Sequence, residues 1–351
     1  METNGAITPR AGDRINNYLL EEQVGRGSFG EVWRARHHVF GEHVAIKIPT
    51  NRDYVRNLQR GGVVIHGLRH PNIVRALDMD PYADPPYLIM EYVSGPSLRD
   101  AIAAAGAAFP IPAATAILRG ILHALSAAHE KQLIHRDIKP ENILLNHQLE
   151  ELPSISEQAV KVTDFDLGKT AVSTREAILQ SGSIDAAAGE RIAGTLAYMS
   201  PEQREGQPLD VRSDLYACGI VLFEMLTGER PQGSDSPSML RRDVPPVLDQ
   251  VFQRAYTRLD RRFSSARDML DALRPTEAVP AIGPSRAWPS PVSEKACSNC
   301  RAAVHRHDQF CIQCGKQLIA AVPHCAACGA FVNGDDRFCI FCGKDLRVLA
   351  R

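Results

Sequence analysis

An α+β fold of two unequal lobes, followed by a small separate module, is predicted by three features of the 351-residue sequence. Residues 18–48 read as three consecutive β-strands, with a glycine-rich turn between the first two. Downstream the pattern becomes helical, most plainly over Ala114 to His129, where alanine and leucine recur at helical spacing. Finally, the cysteines are distributed unevenly: eight of the nine follow residue 296, and only Cys218 lies earlier. A chain of this length can bury one large bilobal core and still supply a small module. Its hydrophobic and charged fractions, 44% and 23%, are those of a soluble globular protein. A net charge of −1 gives no basic footprint for nucleic acid. Neither a leader-like start nor a run of 18 apolar residues is evident, so the expected location is cytoplasmic, with no membrane contact.

Residues 1–14 show no periodic pattern and are expected to be a flexible tail. In the strand region the turn places Gly25, Gly27 and Gly30 in a GxGxxG array. That array alone is weak, because dinucleotide-binding folds use the same letters. Here, however, EVWRAR follows as a strand, where a dinucleotide-binding unit would open a helix. The third strand carries Val44 to Lys47, VAIK. Far downstream, His135 to Asn142 reads HRDIKPEN. Phosphoryl transfer to an alcohol requires an acceptor for the hydroxyl proton, a cation beside the migrating group and a ligand for magnesium. Asp137, Lys139 and Asn142 match those needs in that order.

Together these motifs resemble the eukaryotic-type Ser/Thr protein kinases that bacteria also carry, over roughly residues 15–274. The resemblance implies a bilobal kinase fold with a β-rich N-lobe and a helical C-lobe, and it implies ATP and Mg2+ or Mn2+ as cofactors. It further implies that Gly25, Gly27 and Gly30 cover the nucleotide phosphates and that Lys47 pairs with the α and β phosphates. Val32 and Ala45 would line the adenine pocket, Met90 would be the gatekeeper, and Glu91 to Val93 would offer backbone bonds to adenine. Asp164 in KVTDFDLGK takes the magnesium position and Phe165 the packing position, while Asp166 replaces the usual glycine and should restrict a loop flip. GTLAYMSPEQ resembles the end of an activation segment, with Thr195 at the place that bonds the catalytic loop. Asp214 would bond the catalytic-loop backbone and Arg262 would pair with Glu202. Thr195 and Lys139 point to Ser or Thr hydroxyls of proteins as acceptors.

Three departures from the family qualify this reading. The long segment from Asp164 to Glu202 contains Thr170, Ser173, Thr174, Ser181, Ser183 and Thr195, and Arg136 makes ordering by phosphorylation plausible. The residues Asn146 to Gln158 form an insertion to which the sequence assigns no function. In the family a helix Glu pairs with the VAIK lysine; counting back from His70 reaches Gly61, beside Gly62, so this acid is missing. One explanation is a locally shifted helix, with Asp164 or a water holding Lys47. The other, which is the expectation here, is an active state poorly assembled until ATP or a partner orders it, with slow basal turnover and weak ATP affinity. A Lys47 paired with another carboxylate would refute that. The competing function is a pseudokinase scaffold acting through protein interaction.

Residues 275–294 carry five prolines and read as a semi-extended linker. Then comes an internal repeat over residues 295–346: CSNC, ten residues, CIQCGK, followed by CAAC, ten residues, CIFCGK, each cysteine 28 positions from its counterpart. Paired CxxC turns suit tetrahedral metal. Cys297, Cys300, Cys311 and Cys314 are expected to bind one Zn2+, and Cys325, Cys328, Cys339 and Cys342 a second. Disulfides are the competing account, disfavoured by the spacing and by a reducing compartment. The segment resembles the double zinc ribbon, which implies a binding surface. Eight Lys or Arg against four Asp or Glu from Lys295 onward are offset by about −2 per zinc tetrathiolate. A protein partner is therefore expected, and nucleic acid is disfavoured.

Overall fold

The computed structural model of the protein describes residues 9–27, 30–49, 55–56, 58–59, 66–106, 108–165, 196–274, 295–304, 311, 313–314, 316–318, 324–329, 338, 342 and 344–346. The chain divides into two compact units, Met1–Pro275 and Thr276–Arg351.

The first unit opens with a six-stranded antiparallel sheet. Its strands are β1 (Arg14–Ile15), β2 (Tyr18–Gly27), β3 (Gly30–His37), β4 (His43–Pro49), β5 (Ala76–Asp80) and β6 (Tyr87–Glu91), in spatial order β1-β2-β3-β4-β6-β5. Strand alternation sorts the residues by face. Trp33, Ala35, Val44, Ile46, Ile48 and Ile89 fall on one face and form a buried cluster with Leu20. Val32, Lys47, Ala45 and Met90 share the opposite face, because Val32 pairs with Lys47 and Ala45 with Met90. The last part of the expected flexible tail, residues 1–14, is instead paired: Gly12 N donates to Leu20 O at 2.8 Å, Leu20 N donates to Asp13 O at 2.9 Å, and Arg14 already belongs to β1. Backbone pairing to β2 overrides the absence of sequence periodicity there.

The lower lobe is mainly helical. α1 (Leu98–Ala105) starts at a Ser97 and Asp100 capping box and ends at Gly106, whose φ of 56° suits glycine. α2 (Ile111–His129) begins three residues before the sequence pattern does, since a proline fits the first helical turn. By length and composition α2 could cross a membrane. Its Ala114, Ile117, Leu118, Ile121, Leu122 and Leu125 are instead buried in the lobe's main core. Gly120 lets this helix approach the hairpin of β7 (Ile143–Leu145) and β8 (Val160–Val162): a Cβ there would stand 2.6 Å from Val160 Cβ and 2.7 Å from Glu157 O.

The insertion from Asn146 to Gln158 folds as short 3-10 turns at Leu149–Ser154 and Glu157–Ala159. It is fastened to α2 by Arg119 and Glu157 at 2.8 Å. After α3 (Pro201–Glu205) comes α4 (Arg212–Thr227), apolar on all sides and buried from Ser213 to Leu226, as a central core helix must be. Around it pack α5 (Pro237–Leu240), α6 (Pro246–Ala255) and α7 (Ala266–Ala272). Burying each large aliphatic side chain here contributes about 1.5–3 kcal/mol. The second unit contains the hairpin of β9 (Lys295–Ala296) and β10 (Ala303–Val304).

Candidate active site and cysteine clusters

The loop after α2 is shaped by one buried carboxylate. Asp214, in the first turn of α4, accepts from His135 N at 2.9 Å, from Arg136 N at 2.8 Å and from His129 Nε2 at 2.8 Å. Gln203 Nε2 donates to Arg136 O at 2.9 Å from the other side. This over-determination holds Arg136 at φ 66°, a left-handed conformation that a non-glycine residue adopts only at a cost. The turn aims Asp137 into the cleft. Lys139 Nζ lies 3.0 Å from Asp137 Oδ2, and Asn142 Nδ2 donates to Asp137 O at 2.7 Å and to its Oδ2 at 3.2 Å.

β8 delivers the second acidic group. Thr163 N donates to Asn142 O at 3.0 Å, and His135 Nε2 donates to Thr163 O at 2.9 Å, so the two loops are stitched together. Asp164 follows at φ 60°, and Phe165 is buried with its ring 4.6 Å from that of His135. Desolvation opposes ionisation of Asp164. The Lys47 ammonium and the hydrogen bond it donates overcome that, and the carboxyl lies below the usual carboxylate range.

Lys47, almost fully buried, reaches down from β4 to Asp164 Oδ1 at 2.8 Å. This corrects the expectation of a poorly assembled site in favour of the other explanation, Asp164 holding Lys47: the lysine is paired with a carboxylate 117 positions away. The remaining upper-lobe residues line up by register. Gly25 pairs with Val32, Gly27 with Gly30, and Ala45 with Met90; Met90 and Val93 are buried at the back of the cleft. Glu91 is held by Lys161 of β8 at 2.6 Å, a contact between the two lobes that the sequence reading missed. Asp166, Thr170, Ser173, Thr174, Ser181, Ser183, Thr195, Gly61 and Gly62 lie outside the described residues. The expected pair of Arg262 and Glu202 is present at 2.6 and 3.0 Å, buried on both sides.

In the second unit, Cys297, Cys300, Cys311 and Cys314 converge with their sulfurs within 4.8 Å of one another, as do Cys325, Cys328 and Cys342. Cys339 lies outside the described residues. Sulfurs of Cys297 and Cys314 are 3.7 Å apart, those of Cys300 and Cys311 3.5 Å, and those of Cys325 and Cys342 3.6 Å. A tetrahedron with Zn–S bonds of about 2.3 Å has edges of about 3.8 Å, so the donor set fits zinc. Each first CxxC turn contains a left-handed residue, Arg301 at φ 61° and Gly329 at φ 72°, in corresponding positions of the repeat. Gly315 and Gly343, which follow the second CxxC pair of each copy, are outside the described residues. Amide groups of Ala327 and Cys328 aimed at Cys325 bring its pKa down to about 6, favouring the thiolate that metal requires.

The protein kinase domain model matches residues 18–276, about three quarters of the chain. The chain belongs to the protein kinase family. Its C-terminal part matches the double zinc ribbon over residues 297–343. Bacillus subtilis serine/threonine-protein kinase PrkC is 36% identical over 231 residues, covering 64% of this chain and 33% of the relative. Serine/threonine-protein kinase PknB of Mycolicibacterium smegmatis is 32% identical over 279 residues, covering 72% of this chain and 42% of that one. The chain thus spans well under half the length of these relatives. Among solved structures, the Mycobacterium tuberculosis PknI kinase domain superposes with a TM-score of 0.58 at 24% identity, covering 76% of this chain and 98% of its own, and so shares the fold. Membership in the family brings ATP and Mg2+ as cofactors, and the ribbons bring two structural Zn2+.

Proposed function

We propose that this kinase transfers the γ-phosphoryl group of ATP to Ser or Thr hydroxyls of proteins. The observation that carries the reading is the convergence of Asp137, Lys139 and Asn142 on one turn, opposite an Asp164 paired to Lys47. Asp137 is placed to accept the hydroxyl proton, and Lys139 to offset charge developing on the migrating group. Asn142 and Asp164 would hold magnesium, which when bound neutralises the phosphate oxygens. Lys47 would pair with the α and β phosphates, beneath a turn of Gly25, Gly27 and Gly30. Val32, Ala45 and Met90 line the face on which adenine would lie, and the backbone of Glu91 to Val93 borders it. The zinc module, with its balanced charge, serves to recruit a protein substrate or regulator, and the assembly works in the cytoplasm without nucleic acid.

Transfer of labelled phosphate from ATP by the purified full chain, with magnesium or manganese, tests this. Wild type should label itself or a generic Ser/Thr acceptor, and Asp137→Asn and Asp164→Asn should each abolish labelling. A wild type that transfers nothing makes the chain a pseudokinase scaffold.

A further inference from the structure

A cleft of about 260 Å³ opens between α2 and α7 of the helical lobe, and none of its walls belongs to the candidate active site. One wall carries Arg119 and His123 of α2. The other carries Arg267, Leu270 and Asp271 of α7, with Arg274 just past its end. A spacing of three or four residues stacks side chains on one helix face, so each helix turns a row of charged groups towards the cleft. Leu270, buried, gives it an apolar floor.

The charges there do not balance. Glu157, near the end of the insertion from Asn146 to Gln158, pairs with Arg119 at 2.8 Å and lies 3.7 Å from His123 Nε2. Its backbone carbonyl accepts from the Asn72 side chain, so the acid that holds both α2 groups is itself anchored. Across the cleft Asp271 meets Arg274 at 3.1 Å, an exposed pair that water screens and that contributes little. Arg267 has no ion pair among the described residues. Three guanidiniums and an imidazole are thus answered by two carboxylates, and a concave wall of cations focuses its field on an anion. Guanidinium forks fit phosphate oxygens two at a time. The volume lies at the small end for ligand sites, which suits a phosphate monoester or a diphosphate and excludes an extended chain.

We propose that this cleft is a binding site for a small molecule carrying a phosphate group. Arg267 and Arg274 bind the phosphate oxygens, Arg119 and His123 border them from α2, and Glu157 holds that second wall in place. The insertion thereby acquires a role, since it fixes one side of the site. No residue of the phosphoryl-transfer chemistry takes part, so the site stands or falls apart from the kinase reading.

Isothermal titration of pyrophosphate into the zinc-containing full chain, without magnesium or ATP, tests this. Arg267→Ala and Arg274→Ala, at exposed positions that leave the core untouched, should each weaken binding about tenfold, the loss of one charged hydrogen bond. Asp271→Asn removes a negative charge from the wall and should tighten binding about threefold. Lys47→Met, in the nucleotide cleft, should leave the affinity unchanged. A phosphoserine peptide should bind no better than pyrophosphate. No binding at millimolar pyrophosphate, an affinity indifferent to either arginine variant, an Asp271→Asn chain that binds no tighter, or a loss in Lys47→Met would each overturn the proposal. Tighter binding of the phosphoserine peptide would overturn the assignment to a small molecule.

Discussion

Replacing Arg262 by Met isolates the energetics of the most deeply buried ion pair described here. The Arg262 guanidinium side chain is 0% exposed and that of Glu202 4%, and they meet through two hydrogen bonds of 2.6 and 3.0 Å. Ser213 Oγ donates to the same carboxylate at 2.8 Å, and the guanidinium also lies 4.7 Å from the centre of the Tyr216 ring. Methionine fills much of the volume but leaves Glu202 buried without its cation. Breaking such a pair from one side costs about 3–5 kcal/mol.

The titration of Glu202 points the same way. Against the penalty of burial, the Arg262 hydrogen bonds, helped by backbone, Ser200 and Ser213 hydrogen bonds, bring the Glu202 pKa from 4.5 down to about 2. Because the folded value is depressed, this contribution is present above pH 4.5 and fades as pH falls towards 2. Thermal unfolding of Arg262→Met at pH 7 should therefore show a Tm lowered by about 10 °C, and the difference from wild type should shrink at acid pH. Arg262→Met with Glu202→Gln should recover part of the loss, since no buried charge is then left unpaired. A loss below about 1 kcal/mol, or a double variant as unstable as Arg262→Met alone, would refute the reasoning.

Two further outcomes are expected besides that attached to the phosphate-transfer assay. Elemental analysis of protein made with zinc available should find two Zn2+ per chain, and chelation should leave the melting of residues 15–274 unchanged; no bound metal, or a kinase domain that melts on chelation, would contradict this. Gly120→Ala should cost about 1–3 kcal/mol despite alanine's better helix propensity, because the new Cβ meets Val160 and the Glu157 carbonyl; denaturant unfolding showing a stabilised variant would count against the packing described.

What was legible in the sequence was local. The HRDIKPEN loop, the GxGxxG turn and the CxxC knuckles each carry their chemistry within a few residues, and the family resemblance was enough to assign Val32, Ala45 and Lys47 to the nucleotide, which their shared face of the sheet suits. What was not legible was long-range. The absence of the family acid at Gly61 left two readings open, a site lacking a partner for Lys47 or a lysine held by Asp164, and only the three-dimensional pairing at 2.8 Å decides for the second. The contacts of Arg99 with Glu141, Glu224 and Tyr198 were not legible either, since a lone arginine in the first turn of a helix looks like a solvated residue. Likewise, the pairing of residues 12–15 with β2 arises from backbone hydrogen bonds that composition does not encode.

β8 has a consequence for how the cleft can move. Val162 N donates to Asn72 O at 2.8 Å and Val74 N to Val162 O at 2.9 Å, while the Asn72 side chain donates to Val160 O at 2.9 Å. Residues 72–74 lead directly into β5 of the upper sheet, and β8 runs on into Thr163 and Asp164. The strand is thus a hinge leaf screwed to both doors. Any opening of the upper sheet that carried residues 72–74 with it would pull on the backbone just before Asp164. The carboxylate's position would then report how far the lobes stand apart, and mutations at Asn72, nowhere near phosphate, would change the mechanical stiffness of that link.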